Sequence, residues 1–264
     1  MIPRIPQIYQ CLNHLAKEAC NVSLCDLLTM RLALVFGGSG SIGQSICENF
    51  TEQGSRVIGV RRTNNSHNEI VEWVTWTGDD KQFCQNLKEL LIESKIDCVI
   101  WAQGMNCNDD IDDFDITKHL QMYEANVGFI LRTLHALRKD NLLTKNARLC
   151  IISSIWQNIA RQTKLSYCVT KSALQGLVQS LTIDLGKEGI LINAVLPGAL
   201  DTPMTRSNLR PEQIEKLESL TPLQTLPSLS DVVGLVDFLC SQSNTGITGQ
   251  FIAADRGLSY ARIL

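Results

Sequence analysis

No stretch of this 264-residue chain stays apolar for the roughly 18 residues that a bilayer crossing needs. Its first twenty residues, MIPRIPQIYQCLNHLAKEAC, hold no uninterrupted apolar core of the kind a secretory signal carries. An excess of one charge is missing too. The 24 Lys and Arg face 27 Asp and Glu, a net charge of −3, which gives no electrostatic reason to expect nucleic acid or an anionic membrane as a partner. Ten cysteines, at 11, 20, 25, 47, 84, 98, 107, 150, 168 and 240, form no C-x-x-C pair and no cluster with histidine. Neither a metal site nor a disulfide framework is therefore expected, and scattered thiols fit a reducing, cytoplasmic setting. Internal repeats, low-complexity tracts and linkers are lacking as well, so nothing divides the chain after its first thirty residues.

What is there is an alternation. Short apolar runs at 31–38, 55–60, 97–102, 147–154, 190–198 and 250–255 read as strands. Between them, helical spacing covers 42–53, 83–95, 119–139, 167–186 and 230–241. Strands that are almost purely apolar are buried on both faces. The pattern therefore predicts an α/β fold: a doubly wound parallel sheet of Rossmann type in three αβα layers, over residues 31–264. Residues 1–30 fall outside this rhythm. Ile8, Leu12, Leu15 and Ala16 recur at helical spacing, so the extension is either an added helix or the product of a start site placed too early, with Met30 standing just before the first strand.

The first strand runs into GGSGSIG at 37–43, with G-x-G-x-x-G at Gly38, Gly40 and Gly43. Glycines there let the backbone turn tightly against a pyrophosphate, and the following helix offers unpaired N–H groups and a positive dipole end. The second strand ends in VIGVRRTNN. No carboxylate follows until Glu69, and Arg61 and Arg62 occupy the place where an acid would bind a ribose 2′-hydroxyl. An acid would repel a 2′-phosphate, whereas a guanidinium can grip it, so NADP is the expected cofactor.

YCVTK, at 167–171, places Tyr167 and Lys171 four apart, which on its own describes two neighbours on one helix face. Ser154 closes the preceding strand, 13 residues earlier. Taken with the glycine turn, IWAQG at 100–104, Asn126 in YEANVGFILR, LPGALDT at 196–202 and ITGQFIAADRGLS near the end, the ordered set resembles the short-chain dehydrogenase/reductase family. The resemblance spans about residues 31–260 and is fair to 3-oxoacyl-[acyl-carrier-protein] reductases throughout.

That resemblance implies a catalytic set of Asn126, Ser154, Tyr167 and Lys171. Tyr167 would transfer the proton, Ser154 would hydrogen-bond the substrate oxygen, and Lys171 would bind the nicotinamide ribose and lower the phenol's pKa. Asn126 would hold a water behind Lys171, or merely brace the backbone. It further implies cofactor contacts from Gly37, Ser39, Gly40, Ser41, Ile42, Gly43, Arg61, Arg62, Ala102, Gly104, Tyr167, Lys171, Pro197, Gly198 and Thr202, and a homodimer or homotetramer. The chain departs from the family pattern at Phe36 (for Thr), Ser41 (for the middle Gly) and WAQG (for N-N-A-G), which costs two sheet-tying Asn side chains and makes Trp101 core filling.

Two classes of function follow: an NADPH-dependent carbonyl reductase or alcohol dehydrogenase, and a non-catalytic dinucleotide-binding module. A small-molecule carbonyl or alcohol is the expected substrate, its pocket formed by Met105, Asn106, Trp156, Gln157 and a long polar loop at 199–228. Pro203, Pro211, Pro222 and Pro227 break that loop up, and it is expected to serve as a lid. An acidic carrier protein would need a basic landing patch, and the stretch 172–188 offers only Lys187.

Overall fold

A computed structural model describes residues 30–62, 71–202, 205–206 and 210–260. The added helix expected around Ile8, Leu12, Leu15 and Ala16 lies outside the described residues. Seven parallel strands form one sheet in the order β3-β2-β1-β4-β5-β6-β7. They are β1 (Leu32–Phe36), β2 (Arg56–Arg61), β3 (Glu72–Thr75), β4 (Ile96–Trp101), β5 (Leu143–Ile152), β6 (Leu191–Pro197) and β7 (Phe251–Ala254). The strand order reverses its direction of growth after β1. In such sheets, ligands bind at that reversal, off the carboxyl ends of the strands.

The helices follow the strands: α1 (Ser41–Glu52), α2 (Asp80–Leu91), α3 (Ile116–Tyr123), α4 (Phe129–Lys139), α5 (Leu165–Gly186), α6 (Pro211–Ser219) and α7 (Leu229–Cys240). Side chains of a strand alternate between faces, and β1 shows the consequence. Leu32, Leu34 and Phe36 join a core shared with α2, α4 and α5, while Ala33 and Val35 join a second core under α1 and α7. The three-layer reading therefore holds.

Three details differ from the sequence reading. The stretch 119–139 is helical throughout, as expected, but not uniformly α: a π-turn over Glu124–Gly128 joins α3 to α4. β3 is a short edge strand, EWVT, that the apolar-run criterion passes over because only Val74 of its four residues is buried. The loop at 199–228 contains α6. Pro211 starts that helix instead of breaking it, since at its first position the ring's fixed φ fits and no N–H is needed.

The departures near the sheet's top have a packing explanation. Phe36 stacks on Trp101 with centroids 5.8 Å apart and meets Phe129 edge-on at 5.5 Å; Trp76 meets Phe129 at 4.8 Å. Trp101 is wholly buried and its indole N–H donates to Thr133 Oγ1 at 2.9 Å. Aromatic packing thus fills the place that polar side chains hold in the family pattern.

Candidate active site

The carboxyl ends of β1 and β4 carry the glycine turn and WAQG side by side. Gly37 has φ +73°, and a Cβ on it would lie 2.6 Å from the Gln103 nitrogen. A Cβ on Gly43 would lie 2.1 Å from the Gly37 carbonyl oxygen. Neither position admits a side chain, so the turn and the first turn of α1 close directly on each other. Gly40, the N-cap of α1, meets only the Gly37 carbonyl at an ordinary 3.5 Å, and the first turn of α1 holds no acid. The helix end is left open for an anion.

A cavity of about 660 Å³ lies above this turn. Of the expected cofactor residues it brings together Gly37, Ser39, Gly40, Arg61, Arg62, Ala102 and Gly104. Ser41 and Ile42 begin α1 beside it. Pro197, Gly198 and Thr202 follow β6, where the Gly198 N–H donates to the Ala254 carbonyl and Thr202 accepts from the Thr205 N–H; they are not among the residues that wall the cavity. Arg61 ends β2 with its guanidinium 5.1 Å from the Trp73 ring centroid, a cation–π placement that holds it at the strand tip. Arg62 is exposed. Arg132, a third cation on the cavity wall, is paired with Asp80 and Glu124, at 3.2 and 2.8 Å, and these hold its pKa up.

The second part of the site forms where β5 meets α5. Ser154 leaves β5 in extended conformation, and its Oγ accepts from the Trp156 N–H at 3.3 Å. Tyr167, in the first turn of α5, shares a hydrogen bond with Ser154. Lys171, one turn on, lies 5.7 Å over the Tyr167 ring, and its Nζ donates to the Ile152 carbonyl at 3.0 Å. Ser154 and Lys171 are buried, at 6 % and 4 % exposure.

Electrostatically, the phenol departs from expectation. Burial raises the Tyr167 pKa, and the hydrogen bond with Ser154 works the other way. Lys171 is itself brought down to about 8 by burial, because an ammonium is costly to hold away from water. The phenol is therefore protonated at neutral pH, and Lys171 sits close to its titration point.

Asn126 lies in the π-turn and is buried at 1 %. Its Nδ2 donates to the Met105 carbonyl and to Thr170 Oγ1, both at 3.0 Å, and its Oδ1 accepts from the Met105 N–H at 2.7 Å. Those bonds engage the amide with the backbone after WAQG and with α5, which is the bracing alternative. Lys164 was not signalled by any motif. It is buried, donates to Asn106 Oδ1 at 2.8 Å and the Cys107 carbonyl at 3.0 Å, and lies 6.0 Å from the Tyr167 ring centroid. Asp109 caps α5, its carboxylate accepting from the Ser166 N–H at 3.0 Å. Only tertiary folding brings residues 105–109 to α5, so neither contact could be read from spacing. Among the described residues, no group of three or more His, Cys, Asp or Glu is placed to hold a metal ion. None of their helices is long and apolar enough to cross a membrane.

Comparison with known proteins adds to this geometry. The family model described as enoyl-(acyl carrier protein) reductase matches residues 37–259. The NADP(+)-dependent L-rhamnose 1-dehydrogenase of Thermoplasma acidophilum is 27% identical over 241 residues, covering 86% of this chain and 95% of that protein. The 3-oxoacyl-[acyl-carrier-protein] reductase FabG of Escherichia coli K12 is 24% identical over 237 residues, covering 86% and 97%. Among solved structures, Thermoplasma acidophilum aldohexose dehydrogenase in ligand-free form superposes with a TM-score of 0.80 at 21% identity, covering 90% of this chain and 97% of that one. A gluconate 5-dehydrogenase from Burkholderia cenocepacia, in complex with NADP and tartrate, gives 0.79 at 19% identity, covering 88% and 96%. At these identities the structures speak for the fold.

Proposed function

The chain belongs to the short-chain dehydrogenase/reductase family of oxidoreductases, and on that premise we propose that it is an NADP(H)-dependent enzyme interconverting a carbonyl and its alcohol, with reduction the favoured direction. The observation that carries this reading is the half-buried Tyr167 phenol, hydrogen-bonded to Ser154 and with the buried Lys171 ammonium 5.7 Å over its ring. A nicotinamide dinucleotide fits the chain's own residues: a glycine turn that a Cβ would block and an uncapped helix end beside two arginines. Bound there, it supplies the hydride.

The chain's residues supply the rest. Ser154 Oγ orients the substrate oxygen. Tyr167 gives that oxygen its proton as the carbonyl carbon gains the hydride, leaving a phenolate and an alcohol. The Lys171 ammonium stabilises the phenolate until a solvent proton restores it. A phenol pKa held up by burial keeps the acid loaded at neutral pH, the form that reduction uses. Asn126 acts as a positioning residue, tying Met105 to α5 through Thr170. A non-catalytic module would have no use for a buried ammonium that costs stability, and no observation favours that reading. Since the stretch 172–188 offers an acidic carrier protein only Lys187, the substrate panel starts with aldohexoses and sugar acids, for which three of the four relatives are named, and adds 3-oxoacyl thioesters.

Cofactor choice tests the reading. A charge-assisted bond from Arg61 or Arg62 to a 2′-phosphate is worth about 1.5–3 kcal/mol, roughly a ten- to hundred-fold preference for NADPH over NADH in kcat/KM. Replacing Arg61→Asp together with Arg62→Ala should collapse or invert the preference. Equal or better use of NADH by the wild type would show that these arginines serve no phosphate.

A further inference from the structure

Gln103 occupies the third position of WAQG, where the family pattern N-N-A-G has Ala. The residue is half-buried and borders the cofactor cavity. Its Nε2 and Oε1 are both buried, and neither is hydrogen-bonded to any protein atom. Hiding an unpaired amide destabilises a fold, and native chains keep such a group only where something compensates. Alanine at this position would carry no such cost.

The neighbourhood indicates what compensates. Gln103 lies on the glycine turn, its backbone nitrogen 2.6 Å from where a Cβ on Gly37 would stand. Arg61, Arg62 and Gly40 wall the same cavity, and Ser154, Tyr167 and Lys171 are not among the described residues that do. The two arginines and the glycine turn mark the phosphate and adenosine end of the site; the reacting end begins at the next residue, where a Cβ on Gly104 would lie 3.8 Å from Lys171 Nζ.

We propose that Gln103 is a cofactor-binding residue whose carboxamide pairs with a ribose hydroxyl on the adenosine side of the dinucleotide. The inference rests on the nicotinamide-cofactor reading above. A carboxamide has N–H groups to give and an oxygen that can only accept. Phosphate oxygens only accept, so they would leave Oε1 unpaired. A hydroxyl can also donate to it. The adenine edge offers both as well, but lies one unit further from the diphosphate than the ribose does, whereas Gln103 sits on the turn itself. A change of rotamer, open to a half-buried glutamine, turns the amide from under the wall into the cavity.

Gln103→Met keeps the size of the side chain and removes its hydrogen bonding. The expected result has two opposite signs. The dissociation constant for NADPH, from a fluorescence titration, rises about tenfold, while the melting temperature of the ligand-free protein rises because an unpaired buried amide is gone. Gln103→Ala, the family's residue, should weaken NADPH to a similar degree. An NADPH analogue lacking the adenosine-side ribose hydroxyl should bind wild type and Gln103→Met equally. Unchanged NADPH affinity with a lowered melting temperature would show that the amide braces the fold, and would overturn the inference alone. A wild type that binds no NADPH would overturn the cofactor reading and take this inference with it.

Discussion

The Lys171 ammonium is held at 4 % exposure with the Ile152 carbonyl as its hydrogen-bond partner, and its pKa falls from 10.5 to about 8. Between those values the unfolded chain binds more protons than the folded one, so stability rises as pH climbs from about 8 to 10.5. Below about 8 the full burial cost is present, on the order of 3 kcal/mol at 1.36 kcal/mol per pKa unit. Lys171→Met should therefore gain on wild type in ligand-free melting temperature at pH 7 and lose that gain by pH 10. An offset that does not change with pH would contradict the burial argument. The Tyr167–Lys171 pair was legible because four residues apart on a helix means one face. The direction of the phenol's shift was not, because it depends on how deeply the fold buries the ring. Gln103 and Lys164 left no trace in spacing either, since both matter only through neighbours that tertiary packing brings to them.

Elements repeat the lesson at larger size. Gly43 closes on the Gly37 carbonyl, while Gly234, inside α7, has nothing within 4 Å of its would-be Cβ. Gly43→Ala should push the glycine turn off α1, lowering the melting temperature and weakening NADPH at least tenfold by titration. Gly234→Ala should instead stabilise by about 0.5–1 kcal/mol, the usual gain in an exposed helix interior. Similar outcomes for the two would mean that the turn tolerates a side chain. Strands and long helices were legible from apolar period alone. What was missed has local causes. Asp79 and Asp115 cap α2 and α3 and start each helix three residues before the expected boundary. β3 is too short and too little buried to form an apolar run, and α6 hid behind the proline that begins it. The π-turn at Glu124–Gly128 is a slip of hydrogen-bond register within a continuous helical pattern, to which side-chain periodicity is blind.

At the scale of the whole molecule, large apolar side chains stay exposed on the described surface. Ile111, Ile116 and Leu120 on and before α3, and Ile183 on α5, are each more than half exposed. Exposed apolar side chains on such helices are commonly covered in a symmetric assembly. Light scattering at micromolar concentration should give two or four times 29.4 kDa, and a lone monomer would contradict the expected dimer or tetramer. The proposal that stands on the Ser154–Tyr167–Lys171 corner is that Tyr167 supplies the proton for carbonyl reduction. Its most direct test is the NADPH-dependent turnover of Tyr167→Phe beside wild type on a carbonyl substrate, with NADPH affinity measured in parallel. The account predicts that kcat falls by about 10²–10⁴-fold while NADPH binding stays within a few-fold. A variant that keeps more than about a tenth of the wild-type kcat would contradict the proton-donor role.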